Sequence, residues 1–294
     1  MFHLIDGKNK FERFKNMIDI NKNYNESNLE TMAKMPDCFV DLTVTSPPYD
    51  NLRDYNGYSF DFEAVAKELY RVTKQGGVVV WVVGDATVKG SETGTSFKQA
   101  LFFKDIGFNL HDTMIYGKNN PMPYHHNRYQ TCFEYMFVFS KGRPNTFNSL
   151  CEPCVCANTK NHSTQRGVNG TVKVATGYGK QVKETRPRFN VWFYNVGGGQ
   201  AATDAFATEH PAIFPEQLAN DHIISWSNEG DLVYDPFMGS GTTAKMAIIN
   251  KRNWIGSEIS SEYCNIIEER IKKAWEEKRK EKDLQAQSLF GTEW

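Results

Sequence analysis

The stretch DLTVTSPPYDNLRDY, residues 41–55, joins an apolar, β-branched run to two consecutive prolines and a tyrosine. The run FVDLTVT has the composition of a buried strand, and proline ends it because proline cannot extend a hydrogen-bonded ladder. Proline also fixes φ and lacks a backbone N–H, so Ser46, Pro47 and Pro48 present hydroxyl and carbonyl acceptors in a stiff geometry. The sequence therefore predicts a rigid row of acceptors, followed by the ring of Tyr49, at the end of a buried strand.

Strand and helix patterns alternate around this loop. Apolar runs such as VVVWVV and EYMFVFSK predict strands, HDTMIYGK predicts an extended segment, and FDFEAVAKELYRVTK and SFKQALFFKDIGF have helical spacing. The alternation continues with PEQLANDHIISWS, LVYDP, TTAKMAIIN and NWIGSEI. It predicts an α/β fold with a mostly parallel sheet covered by helices on both faces. A first helix is predicted from Asn25 to Met35, with Asn25 or Ser27 as its cap, and a last helix from Ser261 to about Leu284, with fraying in its charged later turns.

A basic, irregular segment interrupts the alternation. Nine Lys or Arg and only two Asp or Glu lie between Lys141 and Asn195, so this segment carries +7 and the rest of the chain −8. Concentrated positive charge suits a polyanion, although a solvated, loosely packed insert is the alternative interpretation. We predict two halves of one domain, 1–140 and 206–294, separated by a basic insert at 141–205.

Composition places the chain among globular proteins, with 294 residues, 40% of them hydrophobic and 23% charged. No apolar run approaches the length of a membrane span, and the N-terminus lacks the apolar core of a signal peptide. A cytoplasmic protein with reduced cysteines and no membrane partner is expected.

A second loop lies in LVYDPFMGSGTTAKMA, residues 232–247, between a predicted strand and a predicted helix. Glycines there let the backbone approach a ligand, and the helix N-terminus supplies free N–H groups. The phosphate-loop pattern and the three-glycine dinucleotide fingerprint are both absent from the sequence. Asp235 can bind an ammonium or a hydroxyl, Phe237 can cover an aromatic ring, and Glu258 at the next strand end suits a ribose diol. The pattern indicates a nucleoside site without phosphate recognition, which suggests S-adenosylmethionine.

TSPPY together with DPFMGSGTT resembles the motifs of the amino-methylating DNA methyltransferases, which modify N4 of cytosine or N6 of adenine. The order, with the catalytic loop before the cofactor loop, is similar to that of the circularly permuted beta class. The resemblance implies a Rossmann-like methyltransferase fold and direct in-line transfer from S-adenosylmethionine to a flipped-out base in double-stranded DNA. It also implies a target-recognition region in the basic insert, a monomer or homodimer, and a separately acting restriction endonuclease as a candidate partner.

The resemblance implies the catalytic and cofactor-binding residues, and positive charge indicates the candidate DNA-binding residues. The implied catalytic residues are Ser46, Pro47, Pro48 and Tyr49. The implied cofactor-binding residues are Asp235, Pro236, Phe237, Gly239, Ser240, Gly241, Thr242, Glu258, Phe214 and Pro215. The candidate DNA-binding residues are Arg128, Lys160, Arg166, Lys173, Lys183, Arg186 and Arg188. The family's Gly-Asp after the first strand is absent; NKNYNES offers Asn23 or Asn25 instead, so adenine recognition stays unassigned.

The target base is predicted from the residue before the prolines. Family members with serine there lean toward cytosine N4, and those with aspartate lean toward adenine N6. Ser46 therefore favours N4-cytosine, with N6-adenine as the alternative. Methylation at cytosine C5 fits poorly because it needs a nucleophilic cysteine, and Cys38 and Cys132 lie outside such a motif.

A different class of function is suggested by CEPCVCANTKNH in the insert. Cys151, Cys154, Cys156 and His162 lie close together in the sequence, and the first spacing suits zinc. No second C-x-x-C follows, which favours reduced structural cysteines and no metal. The alternative is a zinc-containing DNA-binding protein with an inactive methyltransferase fold.

Overall fold

The computed structural model describes residues 18–48, 60–121, 127–197, 200–204 and 214–290, with side chains described as far as residue 280. The strands, in chain order, are β1 (Lys22–Tyr24), β2 (Val40–Thr45), β3 (Thr73–Val83), β4 (Thr87–Val88), β5 (Ser91–Glu92), β6 (Asn109–Lys118), β7 (Phe133–Ser140), β8 (Cys151–Pro153), β9 (Thr164–Arg166), β10 (Val172–Val174), β11 (Thr185–Pro187), β12 (Val191–Tyr194), β13 (Leu232–Asp235) and β14 (Asn253–Ser257). The helices are α1 (Asn28–Ala33), α2 (Phe62–Val72), α3 (Thr95–Asp105), α4 (Glu216–Trp226), α5 (Thr242–Ile249) and α6 (Ser261–Phe290). None of the helices in these ranges combines the length and the apolar character needed to cross a bilayer.

Eight strands form one sheet in the order β1-β14-β13-β2-β3-β7-β6-β12. Every neighbouring pair is parallel except the two that involve β7, which runs antiparallel to β3 and to β6. The α/β fold with a mostly parallel sheet is therefore confirmed. The carboxyl ends of β13, β2 and β3 share one edge, where open α/β sheets bind their ligands.

Strand β3 shows why the sheet must be covered on both faces. Its side chains alternate between the two faces, yet Val80, Trp81 and Val82 are all fully buried. Trp81 packs with Phe103 on the face covered by α1, α2 and α3, and its indole N–H donates to Gln99 Oε1 at 2.8 Å. Helices α4 and α5 contact β2, β13 and β14. A continuously apolar strand of this kind is typical of a doubly covered parallel sheet.

The first helix, α1, and the last helix, α6, both form for reasons that can be found in their own sequences. Helix α1 begins after Ser27, whose hydroxyl accepts the Glu30 N–H at 3.2 Å while the Glu30 carboxylate accepts the Ser27 N–H at 3.0 Å. Helix α6 continues beyond the predicted end at Leu284, so the expected fraying is not seen. Its charged turns are rich in strong helix formers and contain pairs such as Lys273 with Glu269, 3.7 Å apart.

The basic segment forms a compact unit of its own, Asn148–Asn190, which is narrower than the predicted insert at 141–205. The difference at the C-terminal side arises because β12 pairs in parallel with β6 and belongs to the main sheet. Trp192 and Tyr194 are buried, and the Tyr194 hydroxyl donates to Asp221 Oδ2 at 2.8 Å. Because β12 has only four residues and follows an irregular segment, its sequence pattern is too short to predict that it belongs to the main sheet.

Residues 148–190, here called the basic arm, form one interrupted antiparallel ribbon. At its base β8 pairs with β11, in the middle Lys160 bridges to Gln181, and beyond that β9 pairs with β10. The tip is a turn in which the Gly170 N–H donates to the Gly167 carbonyl at 2.9 Å. The arm thus presents two strands along its length and exposes Val168 at its tip.

We expect Tyr194→Phe to lower the free energy of unfolding by about 1–2 kcal/mol, because a buried carboxylate loses one of its donors. Urea denaturation of the purified protein measures this change. Val191→Thr, at an exposed position of the same strand, is the matched control and should stay within about 0.5 kcal/mol of the parent. An unchanged Tyr194→Phe variant would mean that this hydrogen bond does not hold β12 to the main sheet.

Candidate active site

Parallel pairing brings the two predicted loops together. Strand β13 lies beside β2, with Val233 opposite Leu42 and Tyr234 opposite Thr43. The two strands therefore end side by side, and the Thr45 hydroxyl donates to Asp235 Oδ1 at 2.6 Å across the gap. The serine-proline loop and the glycine loop, 190 positions apart at this contact, are two parts of one site.

The loop after β2 is described through its two prolines. Ser46 and Pro48 are half-buried and Pro47 is buried, in the extended backbone that follows the strand. The hydroxyl of Thr243, at the start of α5, donates to the Val44 carbonyl at 3.2 Å and so braces the end of β2. Tyr49 lies outside the described residues, so the structure does not place the predicted base-stacking ring.

Asp235 is a buried carboxylate at the end of β13. It is 4% exposed and accepts hydrogen bonds from the Thr45 hydroxyl and, at 3.0 Å, from the Phe237 N–H. Burial raises the pKa of Asp235 to about 6, more than these hydrogen bonds lower it. Within the described residues no Lys or Arg contributes to this shift. A carboxylate in this state attracts a cationic or hydrogen-donating ligand.

The glycine loop turns sharply into α5. Gly241 has φ +84°, and a side-chain carbon at this position would lie 3.3 Å from Ile267 Cγ1, so both conformation and space favour glycine. Glu258 closes the other side of the loop by accepting the Gly239 N–H at 2.8 Å and the Ser260 N–H at 2.9 Å. Burial raises the pKa of Glu258, against the effect of these two N–H donors. The Ile259 N–H also lowers this pKa, so of the roughly four acceptor positions of a carboxylate about one is left for a ligand diol.

The other predicted cofactor residues lie around this loop. The Thr242 hydroxyl donates to the Phe214 carbonyl at 3.2 Å, and Pro215 precedes the first turn of α4. The Pro236 carbonyl accepts from Asn28 Nδ2 at 3.2 Å. Phe237 packs edge-on against Phe60, with ring centres 4.8 Å apart.

The two asparagines that replace the family's Gly-Asp have different surroundings. Asn25 Nδ2 donates to the carbonyls of Glu258 and Ile259 at 2.9 and 3.1 Å. Asn23 Nδ2 lies 3.3 Å from Cys264 Sγ, and its buried Oδ1 has no hydrogen-bond partner among the described residues. Asn25 adds side-chain hydrogen bonds to the backbone pairing of β1 with β14, beside Glu258.

The structure contains a buried network of charged side chains next to the glycine loop that the sequence did not predict. Its members are Lys245 and Arg270 with Asp204 and Glu216, all at most 8% exposed. One signal was available for Lys245, which interrupts the apolar helix TTAKMAIIN. None was available for Arg270, which is one of many charged residues in α6.

The candidate DNA-binding residues divide between the two units. Arg128 belongs to the main unit, where its guanidinium donates to the Gly90 carbonyl at 2.7 Å and lies 3.7 Å from the Glu92 carboxylate. The other six lie in the basic arm, where Lys160, Arg166, Lys173 and Lys183 are exposed.

Arg186 and Arg188 differ from these four because they are half-buried. The Arg186 guanidinium pairs with Glu152 at 2.9 Å and lies 4.0 Å from the centre of the Phe189 ring. Arg186 therefore has a structural role at the base of the arm.

The cysteines of the arm were the candidate zinc ligands. Across the described ranges, no three His, Cys, Asp or Glu side chains lie close enough together to hold a metal ion. Cys151 and Cys156 are exposed, and Cys154 is half-buried. The arrangement lends no support to the zinc-containing alternative.

We expect Asp235→Asn to stabilise the fold at neutral pH. The folded pKa of about 6 lies above the ordinary value of 3.8, so the stability that protonation supplies is present below pH 4 and is lost as the pH rises through 6. The variant should gain up to about 3 kcal/mol of unfolding free energy at pH 7.5, and the gain should shrink toward pH 4. Urea denaturation at several pH values tests this, with the exposed Asp105→Asn as control; a gain that does not vary with pH would contradict it.

Comparison with known proteins agrees with this geometry. The profile of a DNA methylase family that groups N6 and N4 methyltransferases matches residues 40–269. The orphan methyltransferase M.BamHII of Bacillus amyloliquefaciens is 59% identical over 242 residues, which cover 80% of this chain and 90% of that protein. The type II methyltransferase M.MthZI of Methanothermobacter thermautotrophicus is 28% identical, over 83% of this chain and 74% of that protein.

Solved structures show the same fold. The cytosine-N4-specific PvuII DNA methyltransferase superposes with a TM-score of 0.60 at 20% identity, covering 86% of this chain and 87% of that one. The complex of M1.HpyAVI with SAM gives a TM-score of 0.56 at 22% identity, covering 85% and 98%. The matched profile spans both loops of the site, and the chain therefore belongs to the N6/N4 family of DNA methylases, which transfer a methyl group from S-adenosylmethionine to an exocyclic amino group of a DNA base.

Proposed function

We propose that this chain methylates the exocyclic N4 of cytosine at a specific DNA sequence, acting on a flipped-out base. The observation that carries the proposal is the contact of Thr45 with Asp235, which sets the Ser46 loop beside the glycine loop. The choice of cytosine rests on Ser46, since serine before the prolines leans toward N4 in this family. N6-adenine is the alternative, because the family contains both activities.

The residues of the glycine loop fit S-adenosylmethionine. Asp235 offers a ligand ammonium a buried carboxylate that no described Lys or Arg neutralises, and Glu258 has about one acceptor position left for a ribose diol. The backbone N–H groups at the start of α5 add a positive potential beside the loop. When bound, S-adenosylmethionine supplies an electrophilic methyl group, so the protein needs no covalent intermediate.

The role of the serine-proline loop is to prepare the target amino group. The lone pair of an exocyclic amino nitrogen is delocalised into the ring, which makes it a poor nucleophile. The Ser46 hydroxyl and the Pro47 carbonyl accept the amino hydrogens, draw the nitrogen toward tetrahedral geometry and localise the lone pair. Catalysis is then chiefly positioning and electrostatic stabilisation, and the nitrogen sheds its proton after transfer. Extruding the base costs roughly a few kcal/mol, which stacking and these hydrogen bonds offset.

The product identifies the target base. DNA from cells that express this chain is digested to nucleosides and examined by mass spectrometry, and the modified positions are mapped by sequencing. N4-methylcytosine at one recurrent sequence is expected. N6-methyladenine would select the alternative, and unmodified DNA after incubation with purified protein and labelled cofactor would reject the methyltransferase activity.

We expect Ser46→Ala to lower the rate of methyl transfer about 10²-fold, the usual effect of losing one hydrogen bond to the reacting group. Single-turnover transfer of tritiated methyl measures this rate. Ser46→Thr keeps a hydroxyl and is the matched control, and cofactor affinity should be the same in both variants. Full activity in Ser46→Ala would overturn the role given to this hydroxyl.

The basic arm is proposed to bind the target DNA. It carries seven Lys or Arg against two Glu, and most of these cations are exposed. Nearly every residue of its outer part, between β9 and β10, faces solvent, including Val168, Val172 and Val174. The major groove of DNA admits a two-stranded ribbon of this kind, where exposed valines can meet thymine methyl groups. The predicted insert at 141–205 is accordingly proposed as the target-recognition region, with the arm as the part that contacts DNA.

We expect each of Lys160→Ala, Arg166→Ala, Lys173→Ala and Lys183→Ala to weaken DNA binding and to reduce the slope of log affinity against log salt by about 1, the effect of one lost phosphate contact. Fluorescence anisotropy with labelled duplex DNA between low and moderate salt measures the slope. Lys272→Ala, at an exposed position of α6, is the control and should leave the slope unchanged. Unchanged slopes in all four arm variants would exclude the arm as the DNA-binding surface.

A further inference from the structure

The buried network beneath the glycine loop is built around Arg270 of α6. This side chain is fully buried, and its Nη1 donates to the Ser240 carbonyl at 2.8 Å, the Ser240 hydroxyl at 2.9 Å and the Thr242 hydroxyl at 3.0 Å. Its Nη2 donates to Glu216 at 2.6 Å, and its Nε to Asp204 at 3.3 Å. One guanidinium therefore holds both the glycine loop and the first residue of α4.

Lys245 completes the network from α5. Its ammonium contacts the Thr203 hydroxyl at 2.7 Å, Asp204 at 2.7 Å and Glu216 at 2.9 Å, which uses its three donors. Two buried cations thus face two carboxylates, and the partly exposed ammonium of Lys273 lies 4.0 Å from Asp204 Oδ1. Burial raises the pKa of Asp204, but the hydrogen bonds and charges of Lys245 and Arg270 outweigh it and lower that pKa overall.

Buried ion pairs add little stability compared with apolar residues of similar size, because the charges must first lose their water. A buried network of ion pairs instead fixes the positions of the chain segments that carry it, because each buried charge must keep its hydrogen-bond partners. Here the network joins three separate segments of the chain, 203–204, 214–216 and 240–242. The Thr242 hydroxyl also donates to the Phe214 carbonyl, which ties the second part to the third.

We propose that Arg270 is a positioning residue for the cofactor site: it holds the Ser240–Thr242 backbone and the Phe214–Glu216 segment in the arrangement that binds S-adenosylmethionine. The proposal rests on the proposed function of the glycine loop. Arg270 contacts the Ser240 carbonyl and hydroxyl and the Thr242 hydroxyl, so its proposed effect on the cofactor is exerted through the glycine loop and not by direct contact. Only a planar fork with several donors reaches all of these acceptors together, so lysine is not an equivalent replacement.

The test compares Arg270→Lys with Arg252→Lys. Arg252 is the matched control because it is a partly buried arginine that also binds backbone and hydroxyl acceptors, with Nη2 2.6 Å from the Ser227 carbonyl and Nε 3.0 Å from the Ser227 hydroxyl. It lies outside both loops of the site. Calorimetry measures the affinity for S-adenosylmethionine and S-adenosylhomocysteine, and thermal unfolding without ligand measures the loss of stability in each variant.

We expect Arg270→Lys to raise the dissociation constant of both ligands at least tenfold. The rate of transfer at saturating cofactor and the KM for DNA should stay within about threefold, because the serine-proline loop is untouched. Arg252→Lys should lose comparable thermal stability and keep the parent affinity. Parent affinity in Arg270→Lys, or equal weakening in Arg252→Lys, would overturn the proposal.

A second variant decides the matter if Arg270→Lys does not fold. The double substitution Arg270→Met with Glu216→Gln removes one cation and one carboxylate, so the net charge of the network is unchanged. Weak cofactor binding by this folded variant supports the positioning role, and parent binding refutes it. An unmodified protein that binds neither ligand would reject the proposed cofactor function itself, which separates that failure from failure of the role of Arg270.

Discussion

The parallel pairing of β2 with β13 is the constraint on which the site depends. The two strands are far apart in the chain, yet their pairing ends both at one sheet edge and allows Thr45 to donate to Asp235. Because side chains alternate between the two faces of a sheet, a slip of β2 by one residue against β13 would turn the Thr45 side chain to the other face, away from Asp235. The packing of continuously apolar strands between two helical layers holds that register, so the core and the site are specified by the same interactions.

The site keeps two kinds of buried charge within a short distance of the same loop. Among the described residues no cation pairs with Asp235, and burial raises the pKa of its carboxyl, which makes the charged form receptive to a positively charged ligand. In the network of Arg270, Lys245, Asp204 and Glu216, by contrast, each carboxylate accepts hydrogen bonds from both buried cations. Asp235 is therefore suited to bind a charged ligand, whereas the charges of the Arg270 network neutralise one another and support the loop.

Charge is also divided between the two units of the chain. A net charge near zero conceals an arm with strong positive charge and a main unit with an acidic surplus. The arm has few buried side chains and consists of a ribbon held by backbone hydrogen bonds, with Arg186 and Glu152 paired near its base. Such a surface can change in sequence without disturbing the eight-stranded core, which is the arrangement that a family with many target sequences requires.

The sequence by itself determined the fold class and the family and predicts most members of the candidate site, because apolar runs, paired prolines and a glycine loop after a strand are local patterns with local physical causes. Arg270, by contrast, is one charged residue among many in α6, and only the packing of that helix against α5 shows that it reaches Ser240. Strand β12 is too short to be assigned from its own residues, and its pairing with β6 decides that it belongs to the main sheet. The tertiary structure decided which distant residues meet, since burial and strand pairing depend on the whole chain, whereas the sequence decided what each residue can do once it is there.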